Sequence, residues 1–70
     1  MAENRIGAER RRLRMSQFEL AEKIGVSVAT VGAWEKSTDQ IKGKDLIAMS
    51  DLFGVSTDYL LGKELSDEVV

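Results

Sequence analysis

The chain has 70 residues, of which 43% are hydrophobic, and this length allows one small domain without a second core. It contains no cysteine and no histidine, so it lacks disulfides, thiolate metal ligands and the imidazole that most often acts as a general base. Ten basic and twelve acidic residues give a net charge of −2. The composition therefore predicts a non-enzymatic binding domain with no cofactor, no metal ion and no small-molecule substrate.

The charges are unevenly distributed along the chain. Residues 1–14 carry five arginines and two glutamates, residues 15–44 are balanced, and residues 45–70 carry one lysine against six acidic residues. This asymmetry predicts one face that meets a polyanion. No apolar run approaches the length of a membrane span, and the N-terminal arginines precede no apolar signal segment. We therefore expect a cytoplasmic protein that does not contact a membrane.

The pattern of the first half of the chain predicts helices. Helical spacing recurs while alternation with a period of two is absent, so the expected fold class is all-α. The first helix is predicted from about Glu3 to Leu13. Ser16 and Glu19 form a capping box that begins the second helix, which ends at Gly25. The residues expected to face the core from these two helices are Ile6, Leu13, Phe18, Leu20, Ala21 and Ile24.

Three further helices are predicted in the second half. Ser27 is a natural N-cap for a third helix over about 28–36, and a polar loop follows over 37–43. A fourth helix is expected over about 44–53 and a short fifth one after Ser56, with 1–62 as the domain and 63–70 as an acidic tail. The expected core residues are Val31, Trp34, Leu46, Ile47, Met49, Phe53, Tyr59, Leu60 and Leu61.

The spacing of Ala21, Gly25 and Val31 indicates a helix-turn-helix. Such a motif needs a small residue where the two helices approach, a glycine at the turn and an apolar residue behind the exposed face of its second helix. Helices joined by so short a turn cross steeply and leave one face of the second helix exposed. A helix presented in this way can enter the major groove of DNA.

At these residues the sequence closely resembles the XRE family of helix-turn-helix domains, the phage repressor and Cro type. The resemblance runs from about Arg5 to Gly62, and its carriers are SQFELAEKIGVSVATVGAWE (16–35) and LIAMSDLFGVSTDYLLG (46–62). It implies a compact five-helix lambda-repressor-like domain whose third helix is the recognition helix. It also implies a sequence-specific transcription regulator, most simply a repressor, that binds a palindromic operator in double-stranded DNA as a homodimer.

The resemblance assigns contacts position by position. Gln17 is implied to contact phosphate and a base, and the base-facing positions of the third helix correspond to Val28, Ala29, Thr30 and Ala33. The phosphate-holding segment corresponds to Lys36, Ser37, Thr38, Lys42 and Gly43. The chain departs from the family in its apolar reading face, which carries no group for bidentate hydrogen bonds, and in Ile41, where proline is common. Readout is therefore expected to rest on thymine methyl groups, the Thr30 hydroxyl and DNA shape.

Each of these residues also has a plainer interpretation. Trp34 is expected in the core rather than stacked on a base, and Arg10 with Glu35 is expected to form an ion pair between helices. The Thr30 hydroxyl can return to the Ser27 cap. The alternatives that stay open are solvated or phosphate-bound Arg11, Arg12, Arg14, Lys36, Lys42 and Lys44, and a core or partner patch at Tyr59–Leu61. The alternative function is a protein–protein interaction module with weak or no DNA binding.

Overall fold

The computed structural model describes residues 4–62, which form five helices and no strand. The predicted all-α, five-helix fold is thereby confirmed. The predicted tail over 63–70 and the predicted start of the first helix at Glu3 lie outside the described residues. The helices are α1 (Ile6–Arg12), α2 (Gln17–Ile24), α3 (Val28–Lys36), α4 (Gly43–Phe53) and α5 (Thr57–Leu60).

Local capping explains why α2 and α3 begin where they do. The Ser16 hydroxyl accepts from the Glu19 backbone N–H at 3.0 Å, and the Ser16 N–H donates to the Glu19 carboxylate at 2.7 Å. This capping box confirms the prediction and satisfies two of the free donors of α2. Gly25 then ends α2 with a φ of 91°, a left-handed conformation that glycine adopts without a steric penalty. Ser27 caps α3 by accepting from the Thr30 N–H at 3.1 Å.

The core lies between the helix-turn-helix and the flanking helices. Trp34 is 2% exposed, so it is a core residue as predicted and does not offer its ring to a base. The other buried apolar side chains are Ile6, Leu20, Ala21, Val31, Met49, Phe53 and Leu60. Because Val31 and Trp34 are three residues apart on α3, their burial fixes which side of that helix faces outward.

Three predicted core residues are exposed, and these predictions were wrong. Leu13 is 39% exposed because α1 ends at Arg12, so the helical period no longer governs its direction. Phe18 is 60% exposed because Leu20 and Ala21 form the side of α2 that packs against the core. Ile47 is 58% exposed because α4 buries Met49 and Phe53 on its opposite side.

The short α5 is held against α1 by polar contacts. The Arg5 backbone N–H donates to the Leu60 carbonyl at 2.8 Å, and the Arg5 Nη1 donates to the Tyr59 carbonyl at 2.9 Å. The same guanidinium lies 4.3 Å from the centroid of the Tyr59 ring, while the Tyr59 hydroxyl bonds the buried Glu9 carboxylate at 3.2 Å. These contacts stabilise α5, because an isolated helix of four residues is not stable in water.

Candidate nucleic-acid interface

The helix-turn-helix presents one face of α3 to solvent. Val28, Ala29, Ala33 and Lys36 are all exposed, and Val28 retains 45% of its accessible surface. These residues follow one another at intervals of one, four and three positions, which places them on the side of α3 away from the buried Val31 and Trp34. We call the surface formed by Val28, Ala29, Gly32 and Ala33 the α3 face. The structure thus brings together three of the four side chains predicted to face bases.

The fourth, Thr30, lies beside this face and is half-buried. Its hydroxyl is 2.9 Å from the Ser27 hydroxyl, and either oxygen can be the donor. The Ser27 hydroxyl also accepts from the Thr30 N–H. Thr30 therefore takes part in capping its own helix, which agrees with the plainer of its two interpretations.

Gln17 borders the α3 face from the first turn of α2. Its Nε2 donates to Glu35 Oε1 at 3.2 Å, which orients the amide group, and it lies 4.0 Å from the place a Cβ on Gly32 would occupy. Glu35 is held in turn by Arg10, whose Nε donates to Glu35 Oε2 at 2.7 Å and whose Nη1 donates to the Met15 carbonyl at 2.9 Å. The predicted ion pair is confirmed, and it also fixes Gln17.

Gly7 has a role in this arrangement that the sequence analysis missed. A Cβ at Gly7 would lie 3.1 Å from Glu35 Oε1 and 3.2 Å from Arg11 Nη1, so both groups would have to give way by a few tenths of an ångström. The glycine therefore lets α1 approach Glu35. The available signal was a glycine inside an otherwise helical pattern, which often marks a packing requirement.

The segment between α3 and α4 carries the remaining predicted site residues. Ser37 is the C-cap of α3 and accepts from the Asp39 N–H at 3.2 Å, and the half-buried Thr38 accepts through its carbonyl from the Ile41 N–H at 3.3 Å. Lys42 is the N-cap of α4 and Gly43 its first residue, so α4 begins one residue earlier than predicted. The lysines of this part of the chain, Lys36, Lys42 and Lys44, are all exposed.

The N-terminal arginines contribute less free charge than their number indicates. Arg12 binds the buried Glu9 carboxylate at 2.7 Å and the Phe53 carbonyl at 3.0 Å, although its side chain is 53% exposed. Arg10 pairs with Glu35, and Arg5 is bonded to α5. Internal contacts therefore use much of the basic cluster. Lys36 and Lys42 are exposed at the two ends of the segment after α3, whereas Lys44 lies 3.5 Å from the Asp45 carboxylate.

Several other kinds of site are absent from residues 4–62. This part of the chain has no pocket that would enclose a small molecule and no group of side chains suited to hold a metal ion. None of its helices has the length and hydropathy needed to cross a membrane.

Comparison with known proteins identifies the fold. A family described as helix-turn-helix matches residues 6–60. Repressor protein C2 of Salmonella phage P22 is 39% identical over 62 residues, which cover 89% of this chain and 29% of that protein. A crystal structure of the P22 c2 repressor with a synthetic operator matches with a TM-score of 0.76 and 37% identity, over 86% of this chain and 91% of that one. SinR of Bacillus subtilis in complex with DNA matches with a TM-score of 0.70 and 31% identity, over 81% of this chain and 92% of that one.

The chain belongs to the helix-turn-helix family, since the family match covers most of its length. This confirms the resemblance that the motif at 16–35 indicated. The relatives named above are described as repressors or as a regulator, which confirms the prediction of a non-enzymatic domain. The chain spans about a third of the length of the curated relative that it matches.

Proposed function

We propose that this protein is a sequence-specific DNA-binding transcription regulator, and specifically a repressor, that acts in the cytoplasm. The observation that carries the proposal is the exposed α3 face, presented by a helix-turn-helix and flanked by exposed lysines. Two of the matched structures are complexes with DNA, and the P22 relative is named a repressor. Such a protein needs no catalysis, because occupying an operator is enough to exclude or recruit polymerase.

The proposed contacts divide into two kinds. Base edges would be met by the exposed side of α3 at its N-terminal end, as in other helix-turn-helix proteins. Phosphates would be held by the α3–α4 segment and by the free N–H groups at the start of α2. We assign base contact to Val28, Ala29, Thr30 and Ala33, phosphate contact to Lys36, Ser37, Thr38, Lys42 and Gly43, and either contact to Gln17.

We further propose that two copies bind one palindromic operator. One recognition helix in each copy would enter the major groove, with half-site centres about 34–36 Å apart along the duplex. The domain that does this is residues 1–62, with 63–70 as an acidic tail outside it.

The second candidate function is a protein–protein interaction module on the same fold. The apolar α3 face and the net charge of −2 favour it, because polyanion-binding domains usually carry positive charge. This module would bind its partner through the α3 face and would show no salt-dependent affinity for duplex DNA.

The experiment that separates the two candidates is titration of the protein into a labelled random-sequence duplex pool at low and moderate salt, followed by selection of bound sequences. The proposed function predicts fluorescence anisotropy that rises with a steep salt dependence, and enrichment of a palindromic site. Binding without enrichment would contradict sequence specificity, and absence of binding at low salt would support the interaction module.

A further inference from the structure

We propose that Arg14, in the turn between α1 and α2, binds a backbone phosphate of duplex DNA, in a place where glycine would make the fold more stable. This inference rests on the proposed function and adds to it a phosphate contact outside the α3–α4 segment. It predicts that one substitution, Arg14→Gly, stabilises the protein and weakens its binding to DNA.

The backbone at Arg14 has a conformation that residues with a side chain disfavour. Its φ is 58°, which lies in the left-handed region. Within residues 4–62 it is the one residue other than glycine with a positive φ. A left-handed backbone brings the Cβ of an L-residue close to the following carbonyl oxygen, and glycine avoids this contact because it has no Cβ.

The end of α1 explains this conformation but not the choice of arginine. The Arg14 N–H donates to the Arg11 carbonyl at 3.0 Å. The Met15 N–H donates to the Arg10 carbonyl at the same distance, and these two bonds are those that close a helix through a left-handed residue. The other positive φ angles in the described chain belong to glycines that follow helices, namely Gly25, Gly54 and Gly62. Helix closure alone therefore favours glycine at position 14.

The side chain of Arg14 has no internal contact that would account for the arginine. It is exposed and forms no hydrogen bond or ion pair with any residue in the described range 4–62. The arginines bonded to other parts of the protein are Arg5, Arg10 and Arg12. Arg11 has a helical backbone, and its Nη1 lies close to Gly7. Arg14 thus combines a disfavoured backbone with a guanidinium that is free to bind a ligand.

Arg14 lies at the edge of the surface on which DNA is proposed to dock. It precedes Gln17 by three residues, which span at most about 11 Å of extended chain. Gln17 is in the first turn of α2 and borders the α3 face. The backbone of a duplex with α3 in its major groove therefore passes within reach of the Arg14 side chain. A guanidinium presents its N–H donors in a planar fork that matches two phosphate oxygens.

The first test measures folding and DNA binding of Arg14→Gly in the full chain. Circular dichroism should show a melting temperature about 4 °C higher, because glycine suits the left-handed backbone. Fluorescence anisotropy with a labelled random-sequence duplex should show affinity about tenfold lower at low salt. The slope of log affinity against log salt should become shallower by about 0.9. Unchanged affinity and slope would overturn the phosphate contact, and a lower melting temperature would overturn the preference for glycine.

The second test uses Arg14→Lys and Lys23→Gln to separate a local contact from net charge. Arg14→Lys keeps both the charge and a side chain at the left-handed position, so it should retain the salt slope and the melting temperature. Lys23 is exposed in the last turn of α2, at the opposite end from Gln17. Lys23→Gln removes the same single charge as Arg14→Gly and should leave the slope unchanged. An equal change of slope in Lys23→Gln and Arg14→Gly would overturn the inference.

The unsubstituted protein distinguishes failure of this inference from failure of the proposed function. If it bound the duplex with a steep salt dependence and Arg14→Gly bound equally well, only the assignment to Arg14 would be wrong. If it bound no duplex at low salt, the proposed function would be wrong and the inference would fall with it.

Discussion

Glu35 is the residue at which the first three helices meet. It lies on α3, accepts two hydrogen bonds from Arg10 of α1, accepts another from Gln17 of α2, and faces Gly7 across a close contact. Both members of the ion pair are largely buried, with side chains 13% and 14% exposed. If one member of this pair were removed, the charge of the other would stay buried without a counter-charge, because water does not take the place of the missing side chain.

The first prediction concerns this ion pair. Arg10→Met should lower the free energy of unfolding by about 3 kcal/mol, because it leaves the Glu35 carboxylate buried without its counter-charge. The double variant Arg10→Met/Glu35→Leu should recover much of this loss, since it removes both charges. Urea denaturation followed by circular dichroism measures both. A single variant as stable as the unsubstituted protein would show that the pair is unimportant for folding.

The second prediction compares two neighbouring apolar residues of α2. Phe18→Ala should change the free energy of unfolding by less than about 0.5 kcal/mol, because Phe18 is 60% exposed. Leu20→Ala should lower it by about 2–5 kcal/mol, because Leu20 is fully buried. Thermal unfolding of the two variants under the same conditions is the measurement. Similar losses in both would contradict the orientation of α2 in this structure.

At the scale of the helix, glycines show how one residue type has opposite roles. Gly32 lies inside α3, and a Cβ there would meet only Gln17 Nε2, at 4.0 Å. Gly7 lies inside α1, and a Cβ there would be 3.1 Å from Glu35 Oε1. Glycine in a helix interior is less favourable than alanine by about 1 kcal/mol. The atoms that surround each glycine therefore decide whether a change to alanine raises or lowers the free energy of unfolding.

The third prediction follows from this contrast. Gly32→Ala should raise the free energy of unfolding by about 0.5–1 kcal/mol, because it improves helix propensity in open space. Gly7→Ala, its matched control, should lower the free energy of unfolding, because the Glu35 carboxylate is held by Arg10 and Gln17 and cannot move away from the new Cβ without weakening those bonds. The melting temperatures of the two variants should shift in opposite directions. A shift of the same sign in both would contradict the close approach of α1 to Glu35.

The helices themselves were predictable from the sequence because their limits depend on local chemistry. The Ser16 capping box, the Gly25 terminator and the Ser27 cap act within a few residues, and each is present as predicted. The direction of an apolar side chain depends instead on neighbouring helices. Phe18 and Ile47 were therefore misassigned to the core, although each helix was correctly identified.

The candidate site was predictable to the same extent. The positions exposed on α3 follow from the burial of Val31 and Trp34, which helical spacing indicates. The contact of Gln17 with Glu35 was not predictable, because it joins residues 18 apart in sequence and depends on how α2 and α3 cross. The attachment of Arg12 to Glu9 and Phe53 likewise required the packing of α1 against the end of α4.

At the scale of the whole molecule, the net charge of −2 is distributed unevenly along the chain. Internal contacts hold Arg5, Arg10 and Arg12, whereas Lys36 and Lys42 are exposed on either side of the segment that follows α3. Under the proposed function, these two lysines are phosphate contacts. Phosphate neutralisation by a few such charges makes affinity depend steeply on salt, because each contact releases counterions from DNA.

The fourth prediction is that Lys36→Gln and Lys42→Gln each make the slope of log affinity against log salt shallower by about 0.9. Each should also weaken binding to the selected operator and to a random duplex by similar factors, because phosphate contacts carry no sequence information. Fluorescence anisotropy over a range of salt concentrations measures both quantities.

The control for this prediction is Asp51→Asn, which changes the net charge by one unit on an exposed position of α4 away from the α3–α4 segment. It should leave the salt slope unchanged, because counterion release counts contacts with phosphate and not the overall charge of the protein. If Asp51→Asn altered the slope as much as the lysine variants did, the overall charge and not these two contacts would govern binding. If the lysine variants left the slope unchanged while Asp51→Asn also had no effect, the phosphate-binding surface would lie elsewhere than in the segment after α3.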